Sequence, residues 1–409
     1  MPLSMNMAQR LILFLFAAFT FFLIFIVSLK HTSGDFDVYY DASRNYLNSA
    51  PVYVPHQGID EFKYSPLFAL FFSPLTLMPR IVAIYVWTIS NVILFYAIFY
   101  LLYQLKQISF NNFKDFFIIL LLFSLMGRFV FSDFKLGQVN VLLCFLMVST
   151  MYFEINKKYF LASIVLAFSL MIKFFPLLFV LYFLFKRRFK LVAYTFLMVI
   201  IFLLLPSIYS GFHQNSKYLH DWFVLLRSTP PTLLYSVKNN SLLSYFSWLF
   251  IARHEAYTAV AYLLITKGLT SAVYLAWGMS CVVLFVLFFY DIFAVRTEDS
   301  KFCYLDYSCL FVCGLLFNPL SYLNALVFLI IPYIVILRYL FYGQLRKKYA
   351  FISGSFILLS FILMIMDNSR ILHAPDQFEA FVKLKPLMWA VILVYLSLWS
   401  AKLSLKLES

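Results

Sequence analysis

Runs of about 20 apolar residues recur along the whole chain, which is the length needed to cross a bilayer as a helix. The cleanest runs from Leu11 to Leu29, uncharged throughout and preceded by Arg10. Others fall at roughly 81–103, 116–131, 136–153, 159–172, 174–185, 190–209, 269–293, 302–317, 319–341, 349–366 and 386–401. Only 12% of the residues are charged and 64% are apolar, against about a quarter charged in soluble domains. A water-soluble enzyme of this composition would leave too much apolar surface uncovered. Intrinsic disorder is excluded for the same reason. The chain reads as an all-α polytopic membrane protein: a single integral membrane domain over 1–409 with about 12 transmembrane helices. No A-x-A cleavage site follows the first run, so it reads as a retained helix. Two shorter pieces, 66–78 and 241–252, read as helices that lie in the interface or re-enter.

With the N-terminus inside, twelve spans return the C-terminus inside. The basic runs Lys157-Lys158, Lys186 to Lys190 and Arg346 to Lys348 then face the cytoplasm, as the positive-inside rule requires. Three longer polar loops, 30–64, 210–240 and 367–385, face outward. The six histidines (His31, His56, His213, His220, His254 and His373) fall in them or beside them. Any chemistry is therefore expected on the outer face.

Several classes drop out. The ten glycines stand at least ten positions apart, so neither a Rossmann G-x-G-x-x-G nor a P-loop exists here. Energy must come from an ion gradient or a preactivated substrate. The five cysteines sit in apolar runs without metal-ligand spacing. The net charge of +14 is spread over short loops, which orients membrane helices and gives no nucleic-acid pattern.

Five polar clusters carry the possible chemistry. The first loop opens Gly34-Asp35-Phe36-Asp37-Val38-Tyr39-Tyr40-Asp41 and continues to Phe62-Lys63-Tyr64-Ser65-Pro66. A carboxylate just outside the hydrocarbon can take a proton from a sugar or lipid hydroxyl; alternatively these acids offset Lys30 and Arg44. Gly137-Gln138-Val139-Asn140 follows Arg128, Asp133 and Lys135, and its amides can bind hydroxyls or phosphate, or simply cap a helix. Lys173, in an apolar stretch ahead of Pro176, is costly there and thus a functional candidate, with snorkelling to water as the plain alternative. Asn239-Asn240-Ser241-Leu242 forms a sequon or lines a cavity. Asn318 to Asn324 reads as a proline turn between spans.

In order, these pieces resemble the family 87 glycosyltransferases of the GT-C superfamily. The G-D-x-x-V-Y-like element is matched by Gly34, Asp35, Val38 and Tyr39, and a downstream aromatic-proline element by Tyr64, Pro66, Ala69, Leu70 and Pro74. G-Q-V-N falls at 137–140, K-x-x-P at Lys173 and Pro176, and an N-Q-S-L-like element at 239–242. One element departs: the family often shows S-P-x-S-W-x-H-H, whose histidines fall here on Asn324 and Ala325, so their role does not carry over.

The resemblance implies a GT-C-like bundle in a bacterial inner membrane. It also implies a polyprenyl-phosphate-linked sugar, mannose-like or arabinofuranose-like, as donor and a lipid or glycan as acceptor. Phosphate leaves already anionic, so one base and cationic stabilisers suffice. Asp35 is the expected base and Asp37 the runner-up. Lys173, with Arg128 or Lys135, is expected on the donor phosphate. Tyr39, Tyr64, Gln138, Asn140, Asn240 and Asn324 are expected on sugar or acceptor. No cofactor or divalent metal is implied. A secondary transporter, a lipid flippase and a non-catalytic scaffold remain as alternatives.

Overall fold

A computed structural model describes residues 6–30, 34–54, 61–227, 236, 238–251, 277–283, 285–288, 300–367 and 381–407. His31, His56, His254, His373, much of the expected span 269–293 and most of the expected loop 367–385 lie outside the described residues. The chain divides into two compact units: Met1–Phe116 with Arg128–Thr229, and Phe117–Gly127 with Pro230–Ser409. Every described element is helical.

The first unit opens with α1 (Met7–Lys30) and α2 (Asp35–Leu47). Next comes α3 (Pro66–Phe72), started by Pro66 in its first turn and continued as a 3-10 turn over Ser73–Leu77. Two long apolar helices follow, α4 (Arg80–Gln104) and α5 (Phe113–Leu136), of which Phe117–Gly127 counts with the second unit. Then come α6 (Asn140–Ile155), α7 (Tyr159–Ile172), α8 (Leu177–Phe185), α9 (Phe189–Leu204), α10 (Ser207–Ser210) and α11 (Phe212–Arg227). Helix α6 packs against α4 and α7, and α7 against α9; α2 lies on α3.

The second unit holds α12 (Leu242–Ile251), α13 (Ser300–Phe317), α14 (Ile330–Phe341, entered through a 3-10 turn over Leu323–Leu329), α15 (Lys347–Met366) and α16 (Pro386–Lys406). Small polar residues join α15 to α16. Ser353 and Ser397 each donate Oγ to the other's carbonyl at 3.1 Å, and Ser360 donates to the Ala390 carbonyl at 2.9 Å. Such contacts bind helices where lipid supplies no hydrophobic drive. Between α13 and α16, Lys402 pairs with Asp306 at 2.8 Å, both buried.

The polytopic reading holds. Six described helices are long and apolar enough to cross a membrane: Arg80–Gln104, Phe113–Leu136, Phe189–Ser210, Leu323–Phe341, Lys347–Met366 and Pro386–Lys406. Further apolar helices accompany them, among them α1 at 24 residues and the shorter α6 and α7. One boundary moves. Helix α5 continues past the expected 131 through Asp133 to Leu136, because Arg128, Asp133 and Lys135 do not interrupt its backbone bonds. Gly137 ends it: at φ +65° its N–H reaches Phe134 O at 3.1 Å and Gln138 N–H reaches Asp133 O at 3.0 Å. That double bond pattern is a Schellman cap.

The polar loops also hold structure. Loop 30–64 contains α2, and loop 210–240 contains the 16-residue α11. Asn215, Tyr218 and Trp222 of α11 are buried, a spacing of three and four residues that places them on one helical face. That periodicity is diluted by histidines and lysine, which is why the stretch reads as loop by composition.

Candidate active site

The site in the first unit is built where two glycine-led turns meet. A Cβ on Gly34 would sit 3.0 Å from the Leu136 carbonyl oxygen, and one on Gly137 would sit 2.7 Å from the Phe36 Cβ. The G-D and G-Q elements are therefore pressed together, backbone against backbone. At Gly137, whose φ is +65°, glycine meets both demands, the left-handed backbone and the close approach. Trp87 of α4 fixes the turn by donating its indole N–H to Gly137 O at 2.8 Å.

This contact brings four expected residues into one cluster. Asn140, 1% exposed, stands at the start of α6. Its Oδ1 accepts the Lys173 ammonium at 2.5 Å and its Nδ2 donates to Asp133 Oδ1 at 2.7 Å. Val141 N–H adds a longer bond to Asp133 Oδ2 at 3.4 Å. Lys173 is free of helix: α7 stops at Ile172, and Lys173 itself is extended at φ −143°. Pro176 then starts α8, so the lysine occupies a broken-helix junction of the kind tolerated where backbone lines protein or a cavity. Asp35, half-buried in the first turn of α2, lies within electrostatic reach of Lys173, Asp133 and Tyr39. A small cavity of mixed lining touches the same place, with Trp87 and Phe134 beside Thr88, Asn91, Asp133 and Gln138.

The tyrosines sit behind the site. Tyr39 is wholly buried and Tyr64 nearly so. Their hydroxyls lie 2.9 Å apart, and the Tyr39 hydroxyl donates to Gln138 Oε1 at 3.2 Å. Burial, then the neighbouring Tyr64 and the charge of Asp35, push the Tyr39 phenol well above its ordinary range, so it stays a neutral donor. The pair orients Gln138, which is partly exposed, rather than offering an open stacking face. Tyr53 locks the arrangement by donating to the Tyr64 carbonyl at 2.9 Å. Ser65 N–H reaches the Met171 carbonyl at 3.2 Å, which ties the aromatic-proline element to the end of α7.

Asp37 has another occupation. Arg80 grips both its oxygens, Nε to Oδ1 at 2.6 Å and a terminal nitrogen to Oδ2 at 2.7 Å. A cation at the first turn of α4 opposes the helix dipole unless an acid answers it, and Asp37 does. The proline-arginine step that opens the span was the available sequence signal for Arg80. Arg128 and Lys135 both lie on α5 ahead of Gly137. Arg128 stands nine residues before Gly137, about 13 Å along the helix. Lys135 is exposed and rotated about 200° from Asp133 on α5.

The remaining candidates belong to the second unit, where two motifs interlock. Asn239, fully buried, donates Nδ2 to Pro319 O at 2.7 Å, while its Oδ1 accepts Ser321 N–H at 3.0 Å and Ser241 N–H at 3.2 Å. Asn240 N–H donates to Ser321 O at 2.7 Å. An amide so engaged leaves no room for a glycan, so the sequon reads as structural. Asn240 and Asn324 are both buried, and Asn240 Nδ2 donates to Lys238 O at 3.1 Å. Lys385, 1% exposed, donates Nζ to the Ser236 and Asn239 carbonyls, each at 2.8 Å. Sequence reasoning passed over Lys385, which sits outside every motif. Its position one residue before a helix-starting proline was the only cue. Burial, opposed in part by Asp367, lowers its amine to about 7.

Residues 62–319 match the model of Glycosyltransferase family 87. The chain belongs to that family. It is accordingly a glycosyltransferase, and its apolar helices make it an integral membrane protein. No curated protein matches it. The match to family 87 covers the G-Q-V-N, Lys173 and 239–242 elements and ends at Pro319. Gly34 to Asp41 lies ahead of it, joined to the matched segment through the Gly34–Leu136 and Phe36–Gly137 contacts. Among the described residues, no group of three or more His, Cys, Asp or Glu is arranged to hold a metal ion.

Proposed function

We propose that this family 87 enzyme is an inverting GT-C glycosyltransferase. It moves a mannose-like or arabinofuranose-like sugar from a polyprenyl-phosphate donor to a lipid or glycan acceptor. The work is done on the outer face of a bacterial inner membrane, with both termini cytoplasmic. One observation carries the reading: the Gly34–Leu136 and Phe36–Gly137 approaches hold the turn that bears Asp35 against the one that leads to Asn140, with Asp35 in electrostatic reach of Lys173.

Asp35 takes the proton of the acceptor hydroxyl as its oxygen bonds to the anomeric carbon. The bond from that carbon to the donor phosphate oxygen breaks on the opposite face, and its electron pair leaves on polyprenyl phosphate. The anomeric configuration inverts. Lys173 meets the phosphate charge, a charge-assisted contact of the kind that stabilises a departing oxyanion in a dry site. Gln138, oriented by Tyr39, offers its amide to a sugar hydroxyl or phosphate oxygen. Asp37, held by Arg80, supports the loop and leaves Asp35 as base. The reaction needs no resident metal, cofactor or nucleic acid, and its partners are membrane lipid, donor and acceptor.

The test offers the purified protein in lipid a panel of polyprenyl-phosphate sugars with a cell-lipid extract, read by mass spectrometry. Release of polyprenyl phosphate with a mass-shifted acceptor, abolished in Asp35→Asn, is the expected result. Undiminished transfer by Asp35→Asn refutes the base. If no donor in the panel is consumed, the donor class is wrong, and transport or scaffolding becomes the better account.

A further inference from the structure

Asp133 has no part in the mechanism above, yet it anchors the cluster. It is 1% exposed on the last turn of α5, and the Asn140 carboxamide bridges it to Lys173 by hydrogen bonds. That amide has two unlike ends. Both Asp133 oxygens are engaged as acceptors, Oδ1 from the Nδ2 end of Asn140 at 2.7 Å and Oδ2 from Val141 N–H at 3.4 Å. The Oδ1 end is thereby turned to the Lys173 ammonium, at 2.5 Å. Were the amide reversed, its N–H groups would face the ammonium and repel it.

We propose that Asp133 is a positioning residue. By setting the orientation of Asn140, it holds the Lys173 ammonium at the end of α7, where the donor phosphate binds. The last clause rests on the role given to Lys173 above; the orientation of Asn140 does not. Asp133→Asn relaxes the constraint, because an asparagine there can donate to Asn140 Oδ1 as well as accept from its Nδ2, which leaves Lys173 alone to hold the amide. Exchanging the two residues, Asp133→Asn with Asn140→Asp, restores it. Asn at 133 donates to a carboxylate at 140, and that carboxylate accepts Lys173.

Two readouts separate this proposal from the functional reading. The first is the rate of amine labelling of Lys173 in ligand-free protein, resolved by peptide mass spectrometry. Asp133→Asn is expected to speed labelling and the exchange variant to return it to the wild-type rate. The second is steady-state kinetics with the donor identified in the panel. Asp133→Asn is expected to raise the donor KM about tenfold or more, the worth of one hydrogen bond to a charged group. The acceptor KM stays unchanged, and the exchange variant recovers. Labelling of Asp133→Asn at the wild-type rate overturns the proposal whether or not any donor is turned over. So does a loss confined to kcat, or a loss equal in the single and exchange variants. Altered labelling in a protein whose wild type consumes no donor upholds the positioning role and fails the assigned reaction. If Asp133→Asn does not fold, the exchange variant decides: wild-type labelling and donor KM uphold the proposal, and a folded exchange variant with either one altered overturns it.

Discussion

Replacing Gly137 by alanine tests the contact on which the site depends. Two penalties add. An L-residue at φ +65° costs roughly 1–2 kcal/mol over glycine. The new Cβ would also stand 2.7 Å from Phe36 Cβ, well inside van der Waals contact. Neither atom is the end of a flexible side chain, so backbone must move, and overpacking of this kind costs about 1–3 kcal/mol. The sum is about 2–5 kcal/mol. Gly343 supplies an internal control: its φ is +64°, yet an added Cβ meets nothing within 4 Å. Gly343→Ala should therefore show the backbone penalty alone. Reversible unfolding from mixed micelles, followed by tryptophan fluorescence, measures both variants. Gly137→Ala should be the less stable by about 1–3 kcal/mol. Because the displaced residue is Asp35's neighbour, donor turnover should fall by up to about a hundredfold, the scale of a 1 Å misplacement, while Gly343→Ala keeps wild-type turnover. Equal stability of the two variants would refute the reasoning, since the close approach would then carry no energy.

Asp35→Asn and Asp37→Asn should part company. The first should fold normally and lose about 10²–10⁴-fold in turnover. The second breaks the bidentate Arg80 pair and should lose about 1–3 kcal/mol of stability in the same unfolding assay, with a smaller loss of rate. Lys385 should make stability depend on pH. Its folded amine titrates near 7 and its unfolded amine near 10.5, so between those values the unfolded chain binds the extra proton. Resistance to unfolding should therefore rise as pH is raised from about 7 toward 10, and Lys385→Met should flatten that slope. Lys157 and Arg187 end their helices at φ +58°. Glycine at either place should stabilise the protein by up to about 1 kcal/mol, read as a raised unfolding midpoint.

Much of this protein is legible without coordinates because lipid and backbone chemistry act locally. A run of apolar residues long enough to cross hydrocarbon must satisfy its own backbone as helix, and helices occupy nearly all the expected runs that are described. Even the short pieces at 66–78 and 241–252 appear as α3 with its 3-10 turn and as α12. Span length was harder. Helix α5 absorbs Asp133 and Lys135 because a charge at a helix end can pair or reach water, so composition alone marks its end too early. Helix α11 was hidden for the converse reason: an amphipathic helix carries too many polar residues to register as apolar.

Sequence by itself determined the membrane class and the absence of nucleotide-binding glycine loops, and it singled out Lys173 and Asn140 as candidates. Those follow from composition, spacing and the cost of burying charge, each a property of one stretch of chain. Tertiary structure decided the pairings. Asp37 and Asp35 stand two residues apart and are indistinguishable in sequence, until Arg80, 43 positions on, takes one of them. Asp133, read as a residue flanking a motif, became the anchor of Asn140. Two glycine-led turns about a hundred residues apart turned out to pack together, with an acid in electrostatic reach of a cation. Partners so distant along the chain leave no local signature, because nothing short of the folded backbone brings them within a hydrogen bond of each other.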